Sequence, residues 1–199
     1  MFNSSSISSR RAARRSSAAR KQNSSVRYER LEPKNLLAAI ISEFVASNDS
    51  SLIDDNGNST DWIEIYNSGS QAINLNGYRL TDSPSDSSKF VFDNAFLQAG
   101  QFLVVFAGED ENPNSGSDIY TGFSLSAGGE YLALTDPGGN LLSEFNSAGS
   151  DYPEQFTDVS YGVVTSGNFD QVSYFSLPSP GYPNFGAVAG VLDLSLIHI

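Results

Sequence analysis

The sequence contains no cysteine and a single histidine, His198. Without cysteine the chain cannot form a disulfide bond, a thiolate nucleophile or a cysteine-ligated zinc or iron–sulfur site. One histidine near the C-terminal residue cannot complete a Ser–His–Asp or Cys–His catalytic set. These absences exclude the most familiar hydrolytic machinery, and we expect a protein that is not an enzyme.

Long apolar runs are also missing. The longest near the N-terminus, LLAAII at 36–41, is far shorter than the ~20 apolar residues that a membrane-spanning helix needs. We therefore expect no transmembrane span.

Positive charge is scarce beyond the first 34 residues. Residues 1–34 hold nine of the eleven Lys and Arg residues and two acidic residues, which gives them a net charge of +7. The remainder has only Arg79 and Lys89 against 21 acidic residues, a net charge of −19. Because nucleic-acid affinity depends mainly on cationic contacts with phosphates, nucleic acid is not expected as a partner of the acidic part.

The N-terminal segment, residues 1–35, is rich in Ser, Arg and Ala. It has too little apolar surface to offset the entropy of ordering, so we predict a disordered basic segment. Basic residues followed by a short apolar run are typical of a secretory leader, and the Arg/Ser-rich composition also fits a mitochondrial transit peptide.

A motif within this region favours export. ERLEPKNLLAA, at 29–39, resembles the LEPR-xLL element of large surface or secreted proteins of planctomycetes and some proteobacteria, with Lys34 at the usual arginine position. The resemblance implies an exported bacterial protein that is extracellular or located at the cell surface.

From residue 38 onward, short alternating runs are separated by Gly, Asn, Asp, Ser and Pro. No window repeats apolar residues at helical spacing, and no segment is long enough for crossover helices. This pattern predicts an all-β fold, a mostly antiparallel sandwich or barrel. The predicted strands are 39–46, 61–67, 77–82, 88–92, 101–107, 130–135, 141–146, 158–163 and 171–176. The acidic stretch at 108–118 is predicted to be a mobile loop.

The run DWIEIYN, at 61–67, contains the only tryptophan. Strand alternation predicts that Ile63 and Ile65 point into the core, together with Leu75 and Leu80. Glu64 then faces water, because burying an unpaired carboxylate costs several kcal/mol. We expect Trp62 to cover the core margin, since its indole N–H needs a partner or solvent.

The order of these runs resembles the lamin-tail domain, an immunoglobulin-like β-sandwich, over residues 38–185. The resemblance implies fold roles at several positions and no catalytic residues. It implies that Asn67 ends its strand, that Gly77 and the pair Ala99–Gly100 form turns, and that Pro180–Gly181 belongs to a closing PSPGYPN motif. The segments that carry it are Ile41/Glu43/Val45, DWIEIYN (61–67), INLNGYRLTD (73–82), KFVF (89–92), LQAGQFLVVFAG (97–108), GEYLALTDPGGNLL (129–142), DVSYGV (158–163) and PSPGYPN (178–184).

An acidic cluster provides the alternative. Oxygen ligands on an Asp/Asn/Gly loop suit calcium, so the chain could be a calcium-stabilised module or a metal-dependent hydrolase fragment. The twelve-residue calcium-loop template fails, however, because Ser59 stands at the glycine position and Ile65 at the bidentate glutamate position. A solvated hairpin tip is the favoured interpretation of this cluster, which consists of Asp54, Asp55, Asp61 and Glu64.

The sequence thus divides into a basic targeting segment (1–35), a sandwich domain (36–187) and a linker start with a tail (188–199). LSLIHI, at 194–199, is similar to a peptide encoded by translated sequencing-adapter DNA, so further domains are expected beyond residue 193. The leading hypothesis is a non-catalytic binding module for adhesion, anchoring or targeting, whose ligand is a protein or a surface polymer. Nuclear lamins also contact chromatin, but the acidic body opposes a DNA-binding role.

Overall fold

A computed structural model of the protein describes residues 39–109, 116–145, 151–164 and 171–188. The segment predicted to serve in targeting (1–35), the LEPR-xLL-like element and the tail from residue 189 lie outside the described residues. So does most of the acidic stretch that was predicted to be a mobile loop, whose residues 110–115 are not among them.

The described residues form twelve β-strands and no helix. Correspondingly, that part of the chain offers no helix of the length and hydrophobicity needed to cross a membrane. The strands are β1 (Ala39–Val45), β2 (Trp62–Asn67), β3 (Ile73–Asn74), β4 (Arg79–Thr81), β5 (Phe90–Val91), β6 (Phe96–Leu97), β7 (Phe102–Phe106), β8 (Leu132–Thr135), β9 (Leu141–Phe145), β10 (Ser160–Val163), β11 (Val172–Phe175) and β12 (Ala187–Val188).

The strands form two main antiparallel sheets. The larger has the order β12-β11-β10-β1-β2-β7, and the smaller has the order β5-β4-β8-β9. A two-stranded ribbon, β3-β6, completes the set. One hydrophobic core lies between the two sheets, so the predicted all-β antiparallel sandwich is confirmed.

The core follows from strand alternation. Ile63 and Ile65 are fully buried on the inward face of β2, where they join Leu75 and Leu80 as predicted. The centre contains an aromatic cluster, in which the ring of Phe44 lies with its centroid 5.1 Å from that of Phe145, edge to face. Such edge-to-face pairs add about 0.5–1.5 kcal/mol to the burial of their surface.

The structure differs from the sequence-based strand assignment at one strand boundary and at two short strands. The strand predicted at 77–82 begins only at Arg79, because Gly77 has a φ of 82° and its N–H donates to the Phe92 carbonyl at 2.9 Å. The two-residue strands β3 and β6 were not predicted, since a run of two residues has no alternation to read.

Trp62 is not at the core margin, and that expectation is wrong. The side chain is fully buried on the face of the larger sheet opposite the main core, packed with Val45 and Phe106 in a second cluster. Its Nε1 donates to the Ser51 hydroxyl at 3.2 Å, which satisfies the indole N–H. The larger sheet therefore has covered surface on both faces.

We predict that Leu80→Ala destabilises the domain by about 2–5 kcal/mol, because it leaves a cavity between the sheets. The free energy of unfolding from urea titration measures this. Leu141→Ala removes the same atoms from a side chain that is 47% exposed, and should cost much less. Equal losses in the two variants would contradict the core assignment.

Candidate binding surface

The second face of the larger sheet carries Trp62 and Glu64, and we call it the outer face. Residues 177–186, which we call the closing segment, run over it after β11. Ser179, Gly181 and Asn184 of this segment form hydrogen bonds with groups of β1, β2 and β10. The closing segment therefore covers polar as well as apolar groups of the outer face.

Glu64 does not face water, contrary to the sequence-based expectation. It pairs in register with Glu43 on the neighbouring strand β1, and both side chains are fully buried. Alternation correctly separated Glu64 from Ile63 and Ile65, but it could not show that a distant segment covers the outer face. Glu43 was part of the family pattern and was assigned no other role.

Each carboxylate of this glutamate pair is bound by neighbouring donors. For Glu64, the Ser42 hydroxyl donates to Oε1 at 2.6 Å and the backbone N–H of Gly181 donates to Oε2 at 2.5 Å. For Glu43, the Ser160 hydroxyl donates to Oε1, and the backbone N–H of Ser179 donates to Oε2 at 3.1 Å. The closing segment therefore contributes a backbone donor to both glutamates.

Close packing at Gly162 allows the closing segment to approach. A Cβ atom at this position would lie 2.2 Å from the Ser42 carbonyl oxygen and 3.0 Å from Asn184 Nδ2. Asn184 uses that space to donate to the carbonyl oxygens of Ser42 and Val163, both at 2.9 Å. The motif PSPGYPN thus positions donors, and the roles of Gly181 and Asn184 follow from their contacts.

Burial also perturbs the acidity of the pair. Desolvation, with a smaller contribution from the nearby Glu43, raises the pKa of Glu64 to about 7, against the opposing effect of the Ser42 and Gly181 donors. Burial likewise raises the pKa of Glu43, against the opposing effect of its serine donors. Across the described residues the only cations are Arg79 and Lys89, and Lys89 pairs with Asp82 at 2.6 Å. The glutamates are thus stabilised by the hydrogen bonds of neighbouring donors and not by a described cation.

An apolar groove lies on the outer face beside the glutamate pair. Its volume is about 270 Å³, and Ile53 on its wall is 51% exposed. Pro180 and Gly181 form the side nearest Glu64. The full lining is Leu52, Ile53, Val104, Phe106, Asp118, Pro180 and Gly181. Sequence reasoning missed this groove, because its walls come from four separate parts of the chain.

In the loop that contains Asp54, the acidic side chain stabilises the loop backbone through hydrogen bonds. The carboxylate of Asp54 accepts hydrogen bonds from the Thr60 hydroxyl at 2.6 Å and from the N–H groups of Asn56 and Asn58. These donors lower the pKa of Asp54, against the effect of burial. Such bonds are typical of a carboxylate that fixes a turn.

The other predicted calcium ligands point to different places. Asp55 accepts from the Tyr120 hydroxyl at 2.9 Å, and Asp61 accepts from the Asn48 N–H at 2.9 Å. Glu64 lies under the closing segment. Within the residues that the structure covers, no group of three or more acidic or histidine side chains is arranged to hold a metal ion. The structure therefore does not bring the four predicted ligands together.

A polar cleft of about 310 Å³ surrounds Asp61 at one end of the sandwich. Burial, with a smaller contribution from Glu130, raises the pKa of Asp61 to about 6, against the opposing effect of the Asn48 N–H. Glu130 accepts a hydrogen bond from the Tyr152 hydroxyl at 3.0 Å. A half-buried carboxylate with a raised pKa is a feature of some active sites, but structural networks produce it as well.

The family turn positions have structural roles. Asn67 is the last residue of β2, and its Nδ2 donates to the Leu97 carbonyl oxygen at 2.9 Å. Its own carbonyl accepts from the Gly100 N–H at 2.9 Å, in the turn formed by Ala99 and Gly100. Gly100 has a φ of 75°, which favours glycine.

The glutamate pair predicts an unusual pH dependence. Because the folded-state pKa of Glu64 lies above its ordinary value of 4.5, the unfolded chain loses this proton first as the pH rises. Stability should then fall between about pH 5 and pH 8, by up to roughly 3 kcal/mol for this group. Thermal melting at the two pH values measures the effect, and Glu64→Gln should reduce it.

Glu144→Gln, at an exposed position of β9, is the control and should leave the pH dependence unchanged. Carboxylates with lowered pKa, such as Asp54 and Asp158, titrate below this range. The same slope in the wild-type protein and in Glu64→Gln would contradict the assignment.

Comparison with known proteins identifies the domain. A family model described as Lamin Tail Domain matches residues 38–148, more than half of the chain. No curated protein matches the chain. The family consists of immunoglobulin-like domains of binding type and is not a known enzyme family. The two packed antiparallel sheets are consistent with this match, and the chain belongs to the lamin tail domain family.

Proposed function

We propose that this protein is a non-catalytic binding module of a larger exported bacterial protein and serves in adhesion, anchoring or targeting. The observation that carries the proposal is the apolar groove on the outer face, with the half-exposed side chain of Ile53 on its wall. Apolar surface left open in this way, rimmed by polar residues, is typical of interaction sites. The lamin-tail family membership supports a binding role for the fold.

The carboxylates support a structural rather than a catalytic use of acidic residues. Asp158 accepts hydrogen bonds from the N–H groups of Asp49, Ser50 and Ser51, which lower its pKa to about 2. Glu43 and Glu64 hold the closing segment in a similar manner. General acid–base catalysis requires a carboxylate that can reach a substrate, and these groups are committed to backbone donors.

Charge favours a protein or a surface polymer as the ligand. Residues 35–199 carry 21 acidic residues against two cations, so they repel phosphate backbones. The chromatin contacts of nuclear lamins are therefore not carried over to this chain. The LEPR-xLL-like element supports a location outside the cell or at its surface.

The binding proposal predicts that the protein is retained on cell envelopes and does not catalyse hydrolysis. Fluorescently labelled full chain should bind isolated bacterial cell envelopes saturably, and it should not hydrolyse peptide, glycoside or phosphodiester substrates. Measurable turnover that is abolished by Asp61→Asn would overturn the non-catalytic assignment. Failure of the chain to be retained on envelopes would contradict the binding role.

The export proposal predicts a change of compartment. In bacterial cells that express the full chain, protease added to intact cells should degrade the protein. Deletion of residues 1–35 should protect it, because the exported fraction is lost. Fractionation followed by immunoblotting measures both results, and a cytoplasmic marker protein serves as the control. Equal protection of the two forms would argue against export through this segment.

A further inference from the structure

We infer that the groove and strand β7 together bind an extended peptide segment that carries lysine or arginine, which pairs with β7 as an additional strand. This inference rests on the proposed binding function and specifies its surface and ligand class. It combines three observations: an edge strand with outward-pointing backbone groups, an apolar groove beside that strand, and acidic groups with no cation near them among the residues that the structure describes.

Strand β7 forms one end of the larger sheet. It pairs with β2 along its whole length, from Phe102 to Phe106. On its other side, the described residues pair with it only at Phe106, which forms an isolated bridge with Tyr120. Within this part of the structure, the edge at residues 102–105 is therefore open.

The bonds of Phe106 show which backbone groups point outward. Its N–H donates to the Ile119 carbonyl at 2.7 Å, and its carbonyl accepts from the Thr121 N–H at 2.9 Å. Both bonds lead away from β2, whereas the next residue, Ala107, donates toward β2, to the Asp61 carbonyl. Because backbone direction alternates along a strand, the N–H and carbonyl groups of Val104 also point outward.

The groove lies on the outer face of the sheet, where alternate side chains of a peptide strand paired with β7 would also lie. Val104 is the register partner of Glu64, and its side chain lines the groove together with Ile53 and Phe106. In an added strand, the residue directly opposite Val104 would place its side chain on the same face. The groove has a volume of about 270 Å³, which leaves room for an apolar side chain of such a strand.

The charges around the groove indicate a cationic partner. Asp118 lines the groove, and its backbone N–H donates to Asp55 Oδ2 at 3.1 Å. The two described cations belong to the region of the other sheet: Arg79 lies on β4, and Lys89 is bound to Asp82. A lysine or arginine beside the apolar residue of the peptide would meet negative charge that neither described cation compensates, which favours association.

The sequence of β7 supports use of its edge. Exposed edge strands are commonly protected by lysine, proline or a bulge, and FLVVF at 102–106 contains neither lysine nor proline. Its pairing with β2 is regular, without a bulge. A second copy of the chain is the competing occupant, but two copies that each carry a net charge of −12 would repel one another.

The probe for this inference is a short, end-blocked peptide of alternating lysine and valine residues, titrated into the ¹⁵N-labelled full chain. Amide shifts should change most at Phe102, Val104 and Ile53, and binding should weaken as salt is added. The same peptide with glutamate in place of lysine should bind at least about tenfold more weakly. Shift changes located on another face, or equal binding of the two peptides, would overturn the inference.

Variants separate backbone pairing from side-chain effects. Val104→Pro removes an outward N–H without breaking a bond to β2, and should weaken the Lys–Val peptide about fivefold relative to Val104→Ala. Ile53→Ser should weaken binding, whereas Leu141→Ser, at a similarly exposed leucine of the other sheet, should not. Ile53→Ser keeps the test decisive if the proline variant fails to fold.

Sedimentation of the free chain distinguishes the competing occupant. A dimer that Val104→Pro dissociates would overturn the peptide inference in favour of self-association, and a monomer supports it. Failure of the peptide to bind at β7, with envelope retention intact, would remove this inference and leave the proposed binding function standing.

Discussion

Two adjacent carboxylates buried on one sheet face impose a strict requirement on the rest of the structure. Glu43 and Glu64 are shielded from water, so their oxygens need donors from the protein. Serines on β1 and β10 supply some, and the closing segment supplies backbone N–H groups from Ser179 and Gly181. The closing segment is thereby fixed on the outer face, and its Pro180–Gly181 pair becomes one wall of the groove.

Because the closing segment covers its outer face, the larger sheet lies between this segment and the smaller sheet. Its inner face packs on the smaller sheet through Ile63 and Ile65, and its outer face holds Trp62 and the glutamate pair. Antiparallel sheets often have one solvated face, and their strands then alternate between apolar and polar residues. Here a strand with that alternation is buried on both sides, because hydrogen bonds compensate the polar side chains.

The burial of both sheet faces explains which features of the fold could be predicted from the sequence and which could not. The alternation in DWIEIYN identified β2 and its inward residues, since period-2 patterns depend only on local geometry. The burial of Glu64 depends on a segment more than 100 positions away, and the hydrogen bond of Trp62 depends on a separate loop. Local sequence patterns contain no information about either contact. The acidic residues were grouped by proximity along the chain, yet Asp54, Asp61 and Glu64 serve three different parts of the structure. The groove was missed for the same reason.

The position of the closing segment in the chain has a consequence for synthesis. The hairpin of β1 and β2 is complete once Asn67 has been made, but its glutamates gain their last donors only when Ser179 and Gly181 follow. Until then, both side chains lack the backbone donors that the closing segment contributes. A polypeptide ended at residue 148, where the family match stops, would also lack β10, the neighbour of β1. The residues synthesised last therefore donate hydrogen bonds to strands synthesised first. The fold of the domain is complete only when the closing segment packs on β1 and β2.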